Sequence, residues 1–212
     1  MTGAGRPQAP PTAGLILAGG LARRMGGGDK SLRLLAGQPI LAHVVARLAG
    51  QCDGLLLNAN GDPDRFAAFG LPVVPDDVPG FSGPLAGVLA GLDWLAANRP
   101  GIAWMLAVPA DTPFLPPDLV GRLHEGRMAA GLPLACAVSG GRTHPVVALW
   151  PVSLREQLRR AVVTEEERRV GRWMAGTGLA EVDWPMEPVD PFLNVNTPED
   201  LAEAERAAAP TR

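Results

Sequence analysis

A glycine-rich loop that directly follows a short apolar run is the feature that most constrains this chain. The apolar run is Leu15 to Ala18, and the loop after it carries five glycines, two arginines and a lysine before Ser31. A run without polar residues predicts a buried, parallel strand. Glycines after such a strand let backbone N–H groups approach a ligand closely, and Arg23, Arg24 and Lys30 add positive charge. The stretch therefore predicts a binding loop for a di- or triphosphate.

Lys30 is the only lysine in the chain. A compact ammonium fits among phosphate oxygens, whereas a guanidinium is bulkier and requires a fork geometry. Two common phosphate loops are excluded. Asp29 interrupts the Gly-Lys-Ser order of a P-loop, and Ser31 stands where a dinucleotide-binding loop needs its third glycine. We interpret the stretch as a different kind of nucleotide loop, and the alternative is a loop that is merely solvated.

Composition limits the possible partners and the cellular location. The formal net charge is −3 and the pI is about 5.6, so we expect no nucleic-acid partner. Cys52 and Cys136 stand apart and outside any Cys/His motif, which indicates neither a zinc site nor a disulfide framework. No apolar run approaches membrane-spanning length, and the N-terminal residues lack the apolar core of a signal peptide. We therefore expect a cytoplasmic protein without a membrane partner.

Apolar runs alternate with helical patterns along the first half of the chain. They predict strands at 15–18, 55–57, 71–74, 102–108, 134–138, 146–150 and 192–196, and helices at 40–48, 64–69, 85–95, from 116, 153–175 and from 197. This alternation predicts an α/β fold, a single domain with a mostly parallel twisted sheet and helices on both faces. We expect a disordered extension at 1–13, the domain at 14–208 and a tail at 209–212.

Polar residues at the strand ends are the candidate site residues, because ligands of parallel sheets bind beyond the carboxyl ends of the strands. Asp111 follows an apolar strand and suits Mg²⁺, which takes one or two protein carboxylates together with phosphates and water. The alternative for Asp111 is a structural turn before the helix that begins near Pro116. The sequence favours the metal ligand, because a phosphate loop is also present.

Four other strand-end residues are open to two interpretations. Asn58 and Asp76 suit contacts with a ribose or a base, and both are also common turn formers. Asn194 and Asn196 lie on the same face of a predicted strand, where they suit a ligand or loop capping. We interpret His144 as a turn residue rather than a catalytic base.

The run from Leu17 to Lys30 resembles the L-A-G-G-x-x-x-R-M-G-x-x-D-K signature of the MobA-like nucleotidyltransferase family. The resemblance extends from about Gly14 to Glu205, and further matching segments lie at 57–60, 83–87, 111–113, 143–145 and 194–198. The segments N-A-N and N-V-N-T-P narrow the resemblance toward the branch that acts on a molybdenum-bound pterin.

The resemblance implies a Rossmann-like nucleotidyltransferase fold and a reaction. The reaction is the magnesium-dependent transfer of GMP from GTP to the phosphate of molybdenum-bound molybdopterin, with release of pyrophosphate. The acceptor would be a molybdopterin, and proteins of the same pathway that deliver or accept the pterin are candidate partners.

The resemblance also implies residue roles. The backbone of Leu17, Ala18 and Gly19 would hold the nucleotide, and Arg24 and Lys30 would neutralise the β- and γ-phosphates. Asn58 would contact the base, Asp76 would contact the nucleoside and Asp111 would bind the magnesium ion. Asn194 and Asn196 would contact the acceptor or a second metal ion.

Three alternatives remain at this point. They are cytidylyl transfer to the same cofactor, guanylyl transfer to a cobalamin precursor, and a non-catalytic GTP-binding module. Family members that use CTP tend to have alanine at the position of Gly19. A sensor has no need to keep Arg24, Lys30 and Asp111 together. The sequence offers no paired general acid and base, which nucleotidyl transfer does not require.

Overall fold

The computed structural model describes residues 9–19, 29–78 and 83–209. The strands of this part of the chain are β1 (Thr12–Leu17), β2 (Leu34–Leu35), β3 (Gln38–Pro39), β4 (Leu55–Asn58), β5 (Val73–Val74), β6 (Trp104–Pro109), β7 (Leu134–Ser139), β8 (Arg142–Pro151) and β9 (Leu179–Trp184). The helices are α1 (Ile40–Ala49), α2 (Pro84–Asn98), α3 (Leu119–Ala130), α4 (Arg155–Val163), α5 (Val170–Thr177) and α6 (Pro198–Ala208). None of these helices is long and apolar enough to cross a lipid bilayer.

Seven strands form one sheet in the order β5-β4-β1-β6-β8-β7-β9. Every neighbouring pair is parallel except the pairs of β8 with β6 and β7. Leu17 at the end of β1 is in register with Asn58 of β4 and with Pro109 of β6. The carboxyl ends of these three strands therefore meet at the middle of one edge, which confirms the predicted mostly parallel α/β fold.

Helices cover both faces of the sheet because successive side chains of a strand point to opposite faces. Leu15 and Ile16 of β1 are both fully buried but belong to different core clusters. The cluster that contains Leu15 also holds apolar residues of α2, α4 and α5, and the one that contains Ile16 holds those of α1 and α3. Two buried faces explain why the central strands are apolar throughout.

Two predicted elements were wrong, and one strand was missed. The charged stretch 153–175 forms two helices, α4 and α5, because the chain leaves the helical conformation around Glu166, whose φ is 53°. Residues 192–196 do not form a strand. They form an irregular segment just beyond the carboxyl end of β6, where the amide of Val195 donates to the carbonyl of Asp111 at 2.9 Å. Strand β9, parallel to β7, was not predicted.

The domain begins before the predicted boundary at residue 14. Strand β1 starts at Thr12, whose amide donates to Asp53 Oδ2 at 2.8 Å and whose hydroxyl donates to the carbonyl of Pro10 at 2.7 Å. Ala9 packs against the core cluster of α1 and α3. The disorder predicted for 1–13 therefore does not hold for residues 9–13, and residues 1–8 lie outside the described residues.

His124 closes the opposite, amino-terminal edge of the sheet as a neutral imidazole. Its Nδ1 accepts from Arg127 Nε at 3.1 Å, so its Nε2 carries the proton and donates to Thr12 Oγ1 at 2.9 Å. Burial and, to a smaller extent, the charge of Arg127 lower the pKa of His124 to about 4. A proton on Nδ1 would face the Arg127 N–H group, so protonation opposes this packing.

We expect this histidine to make stability depend on pH. The folded pKa lies below the unfolded value of about 6.5, so its contribution is complete above pH 6.5 and is lost as the pH falls toward 4. Between these values, the free energy of unfolding of the wild type should fall about 1–2 kcal/mol more than that of His124→Gln. Urea denaturation of both proteins from pH 4 to 7 measures the difference, and parallel curves would contradict this origin.

Candidate active site

A cleft of about 440 Å³ opens at the carboxyl edge of β1, β4 and β6. Its walls include Gly19, Asn60 and Asp111, which follow these three strands, and Asn194 and Asn196 from the segment before α6. The structure therefore brings together the predicted strand-end residues, which lie up to 177 residues apart in the chain (196 minus 19).

A smaller cavity of about 80 Å³ adjoins this cleft on the side of Asp29, Lys30 and Ser31. Leu17 and Asp111 line both cavities, and Asp29 and Lys30 line only the smaller one. Lys30 opens a 3-10 turn, Lys30–Leu32, which Asp29 caps. After the roles that the sequence predicts for Lys30 and Asp76, we call the smaller cavity the phosphate side and the larger cleft, around Asp76, the nucleoside side.

Lys30 and Asp111 form an ion pair where the two cavities meet. The Lys30 ammonium donates to Asp111 Oδ2 and to Asn196 Oδ1. Asp111 Oδ1 accepts from Asn194 Nδ2 at 2.8 Å, and Asn194 Nδ2 also reaches Thr112 Oγ1 at 3.1 Å. Side-chain hydrogen bonds therefore hold the segment that carries both asparagines at the residues just beyond β6.

The oxygen atoms of Asp111 and Asn196 suit a hard divalent cation, because both already accept from one positive group, the Lys30 ammonium. Among the described residues there is no cluster of three or more His, Cys, Asp or Glu side chains that could hold a metal by itself. A single carboxylate fits a cation of the magnesium type, which keeps water and phosphate ligands, and does not fit a closed zinc site.

The start of α6 positions Asn196. The Asp200 carboxylate accepts from the backbone amides of Asn196 and Thr197, both at 2.8 Å, and the Thr197 hydroxyl accepts from the Asp200 amide at 3.1 Å. Burial acts to raise the pKa of Asp200, but these hydrogen bonds and the charge of Lys30 together hold it below its ordinary value. The ionised carboxylate therefore fixes the backbone beside the Lys30 contact.

On the nucleoside side, two asparagines hold Asp76. Asn58 Nδ2 donates to Asp76 Oδ1 at 2.9 Å and to the carbonyl of Val74 at 3.0 Å. Asn60 Nδ2 donates to Asp76 Oδ2 at 2.8 Å, and the Asp76 amide donates back to Asn60 Oδ1 at 2.8 Å. Both carboxylate oxygens thus have one fixed donor and keep lone pairs for a ligand. Asn58 acts here as a brace for Asp76 as well as a wall of the cleft.

The backbone at the end of β1 is partly used by the sheet. The amide of Ala18 donates to the carbonyl of Asn58 at 2.8 Å, and the carbonyl of Leu17 accepts from the Ala110 amide at 3.0 Å. Among the described residues, no atom lies within 4 Å of a Cβ added to Gly19, and Gly19 lines the larger cleft. Arg23 and Arg24 lie outside the described residues, and the role of Arg24 stays a prediction.

His144 braces the segment before Asn194. It lies in β8 and not in the turn where it was predicted, and its Nε2 lies 2.8 Å from Ser139 Oγ. The Ser139 hydroxyl donates to Asp190 Oδ1 at 2.9 Å, and the His144 ring packs on Phe192 with centroids 4.9 Å apart. Burial lowers the pKa of His144, Asp190 opposes this, and Arg142 adds to it. In a nucleophile triad the histidine lies between the serine and the acid; here the serine does, so the arrangement is structural.

The sequence analysis did not predict the role of Asn60 or the tight contact of Gly87 with Asn58. A Cβ on Gly87 in α2 would lie 2.3 Å from Asn58 Oδ1. The N-A-N segment contained a signal for Asn60, since residues two apart at a strand end point the same way. Gly87 gave no such signal, because its partner lies on another element.

Comparison with known proteins defines the class. The model of the MobA-like NTP transferase domain family matches residues 14–181. The fold and the cleft thus belong to a MobA-like nucleotidyltransferase. The molybdenum cofactor guanylyltransferase of Nitrobacter hamburgensis is 63% identical over 200 residues, which cover 94% of this chain and 96% of the relative. The chain belongs to the molybdenum cofactor guanylyltransferase family.

Solved structures share the fold at low sequence identity. Molybdopterin-guanine dinucleotide biosynthesis protein A from Archaeoglobus fulgidus superposes with a TM-score of 0.69 at 21% identity, over 92% of this chain and 97% of that chain. A Mycobacterium tuberculosis protein solved in complex with manganese gives 0.67 at 17% identity, over 93% and 99%.

Proposed function

We propose that this chain transfers GMP from GTP to the phosphate of molybdenum-bound molybdopterin and releases pyrophosphate. The observation that carries the proposal is the meeting of Lys30, Asp111 and Asn196 where the phosphate side joins the nucleoside side. This arrangement offers one positive charge and one metal-ligating carboxylate at the point where a nucleoside triphosphate would change from sugar to phosphates.

The proposed nucleotide lies along both cavities. Its phosphates contact Lys30 and, from the undescribed part of the loop, Arg24; the backbone of Leu17, Ala18 and Gly19 borders them. Because the Ala18 amide already donates to the carbonyl of Asn58, Gly19 is the residue of the three whose surroundings leave room for a ligand. The base and ribose contact Asn58 and Asp76.

The chemistry requires placement and charge rather than a protein nucleophile. A phosphate oxygen of the acceptor attacks the α-phosphorus in line, and the bond to the pyrophosphate oxygen breaks. Lys30 moves from Asp111 and Asn196 to the phosphates and stabilises the negative charge on the departing pyrophosphate. A magnesium ion held by Asp111, with Asn196 as a second oxygen ligand, would supply further neutralising charge on the phosphates.

The acceptor lies against the part of the larger cleft that Asn194 and Asn196 line. Proteins of the pathway that deliver or accept the pterin are the proposed partners. Cys52 and Cys136 are free thiols, as is usual in the reducing cytoplasm, where we propose that the enzyme acts.

Release of pyrophosphate upon mixing of the chain, a nucleoside triphosphate, magnesium and acceptor tests the proposal. We expect release with GTP and molybdenum-bound molybdopterin. Release with CTP in place of GTP would identify a cytidylyltransferase, and release only with a cobalamin precursor would identify the other guanylyltransferase. GTP binding without release in any mixture would identify a non-catalytic module.

Two glycines one turn apart in α2 give a matched test of the nucleoside side. A Cβ on Gly91 would lie 2.7 Å from Leu15 Cδ2, in the core, whereas that on Gly87 meets Asn58. Overfilling should lower the free energy of unfolding of Gly87→Ala and Gly91→Ala by about 1–2 kcal/mol each. Only Gly87→Ala should also weaken GTP binding, by about tenfold, because it displaces the brace of Asp76. Urea denaturation and calorimetric titration measure both effects, and equal GTP affinities of the two variants would contradict the role of Asn58.

A further inference from the structure

Arg65 connects two segments of the cleft through all three nitrogens of its guanidinium. Nε donates to Asp29 Oδ2 at 3.0 Å, Nη2 to the carbonyl of Asn60 at 2.7 Å and Nη1 to the carbonyl of Asp62 at 3.0 Å. The guanidinium also lies 4.7 Å from the centroid of the Phe66 ring. A planar, rigid fork that is used on every nitrogen fixes the positions of its acceptors relative to one another.

One of these acceptors controls the phosphate side. The Asp29 side chain is only 12% exposed, and its other oxygen, Oδ1, accepts from the Ser31 amide at 3.2 Å and from the Ser31 hydroxyl at 2.8 Å. These hydrogen bonds cap the 3-10 turn that begins at Lys30. Arg65 therefore holds the carboxylate that orients the lysine-bearing turn.

The second hydrogen-bond acceptor, the main-chain carbonyl of Asn60, belongs to the nucleoside side. Arg65 donates to this carbonyl, and the side chain of Asn60 makes the paired hydrogen bonds with Asp76. Gly61, which follows, has φ of +85°, and a Cβ there would lie 3.1 Å from Arg65 Nη1. A side chain at that position would be both strained and in the way of the guanidinium.

We infer that Arg65 is a positioning residue that sets the distance between the phosphate side and the nucleoside side, so that one nucleoside triphosphate spans both. The inference rests on the proposed function and extends it to a residue that does not line the cleft. Asp29 and Arg65 lie 36 residues apart in the chain, and the hydrogen bond between them links the turn of Lys30 directly to the loop after β4.

The inference has a specific consequence for binding. A ligand that contacts both sides gains from their fixed separation, whereas a ligand that fills one side does not. Loss of Arg65 should thus weaken the binding of GTP while it leaves the binding of inorganic tripolyphosphate and of guanosine nearly unchanged. A residue with a merely structural role would change all three affinities together, or none.

The test compares three ligands by calorimetric titration in the presence of magnesium. For Arg65→Ala we expect the affinity for GTP to fall about tenfold and the affinities for tripolyphosphate and guanosine to change less than about twofold. Arg65→Lys keeps the charge but cannot donate to Asp29 and Asn60 in the same fork, so we expect it to lose GTP affinity to a similar extent. It also serves as the test variant if Arg65→Ala does not fold.

Arg127→Ala is the matched control. Arg127 likewise lies over an aromatic ring, 3.7 Å from the centroid of Trp104, and donates to His124, but at the opposite edge of the sheet. The Arg127→Ala variant should have a lower melting temperature than the wild type and unchanged affinities for all three ligands. Wild-type GTP affinity in Arg65→Ala or in Arg65→Lys would overturn the inference alone, as would an equal loss for all three ligands. Failure of the wild-type chain to bind GTP would instead overturn the proposed function.

Discussion

Replacement of Lys30 by methionine should lower the rate of GMP transfer by about 100-fold or more, roughly 3 kcal/mol in the activation free energy. Methionine keeps most of the side-chain length and removes the charge. The ammonium is the single positive group that the described residues place where the two cavities meet, in contact with Asp111 and Asn196. Steady-state measurement of pyrophosphate release gives the rate, and turnover within a few-fold of wild type would remove Lys30 from the mechanism.

The same variant should bind a divalent cation more tightly when no nucleotide is present. Lys30 donates to the two oxygen atoms, Asp111 Oδ2 and Asn196 Oδ1, that a cation would need. In the wild type, the ammonium must leave before a metal ion enters, and nucleotide phosphates give it another partner. Calorimetric titration with Mn²⁺ measures this effect without the reaction. Weaker binding in Lys30→Met than in the wild type would contradict the competition.

Arg33→Met is the matched control for both measurements. It removes one positive charge three residues away, from the end of the same turn. The rate should stay within about twofold of the wild type, because a contact that does not change in the transition state contributes little to turnover. A similar loss of rate in both variants would indicate a general effect of charge in place of a specific contact of Lys30.

The second large effect is expected for Asp111→Asn. The replacement amide keeps the shape but loses the charge, and its N–H group would face either Asn194 Nδ2 or the Lys30 ammonium, which are both donors. We expect GMP transfer to fall about 1000-fold, since one variant removes the metal ligand and misplaces the lysine. GTP binding should also lose its dependence on magnesium.

Calorimetric titration of GTP with and without magnesium tests this prediction. Asp118→Asn is the control, because Asp118 is also a carboxylate after β6 with an ion-pair partner, Arg122, but it accepts from Trp184 Nε1 and does not line the cleft. We expect Asp118→Asn to keep the magnesium dependence. An unchanged magnesium dependence in Asp111→Asn would exclude Asp111 as the metal ligand.

The central strands could be predicted from the sequence because burial on both faces makes them apolar throughout. Strand β9 was missed because the prediction relied mainly on apolar runs, and Glu181 and Asp183 interrupt such a run, although their alternation with buried residues is typical of a strand with one exposed face. The segment 192–196 misled in the opposite way. Val195 is fully buried between two asparagines, which is the pattern of a strand with one buried face. Its amide nevertheless donates to the carbonyl of Asp111, beyond the end of β6 and outside the sheet.

The sequence predicted those residues of the candidate site that lie at the ends of strands. Asn58 ends β4, Asp76 and Asp111 follow β5 and β6, and parallel strands carry such residues to one edge. Arg65 was not predictable in this way. It lies in the 3-10 helix Pro63–Phe69, and nothing near it in the sequence indicates a partner at Asp29.

The sequence by itself predicted the mostly parallel α/β architecture, a phosphate-binding loop with a single lysine, and an aspartate just after β6, because each prediction depends on residue types and spacings within a short stretch. Only the tertiary structure showed that Asp111 and Asn196 accept from the Lys30 ammonium, that Asn58 and Asn60 hold Asp76, and that Arg65 contacts both Asp29 and Asn60. Those contacts link segments from separate elements, and hydrogen bonds between such segments leave no periodic pattern in the chain.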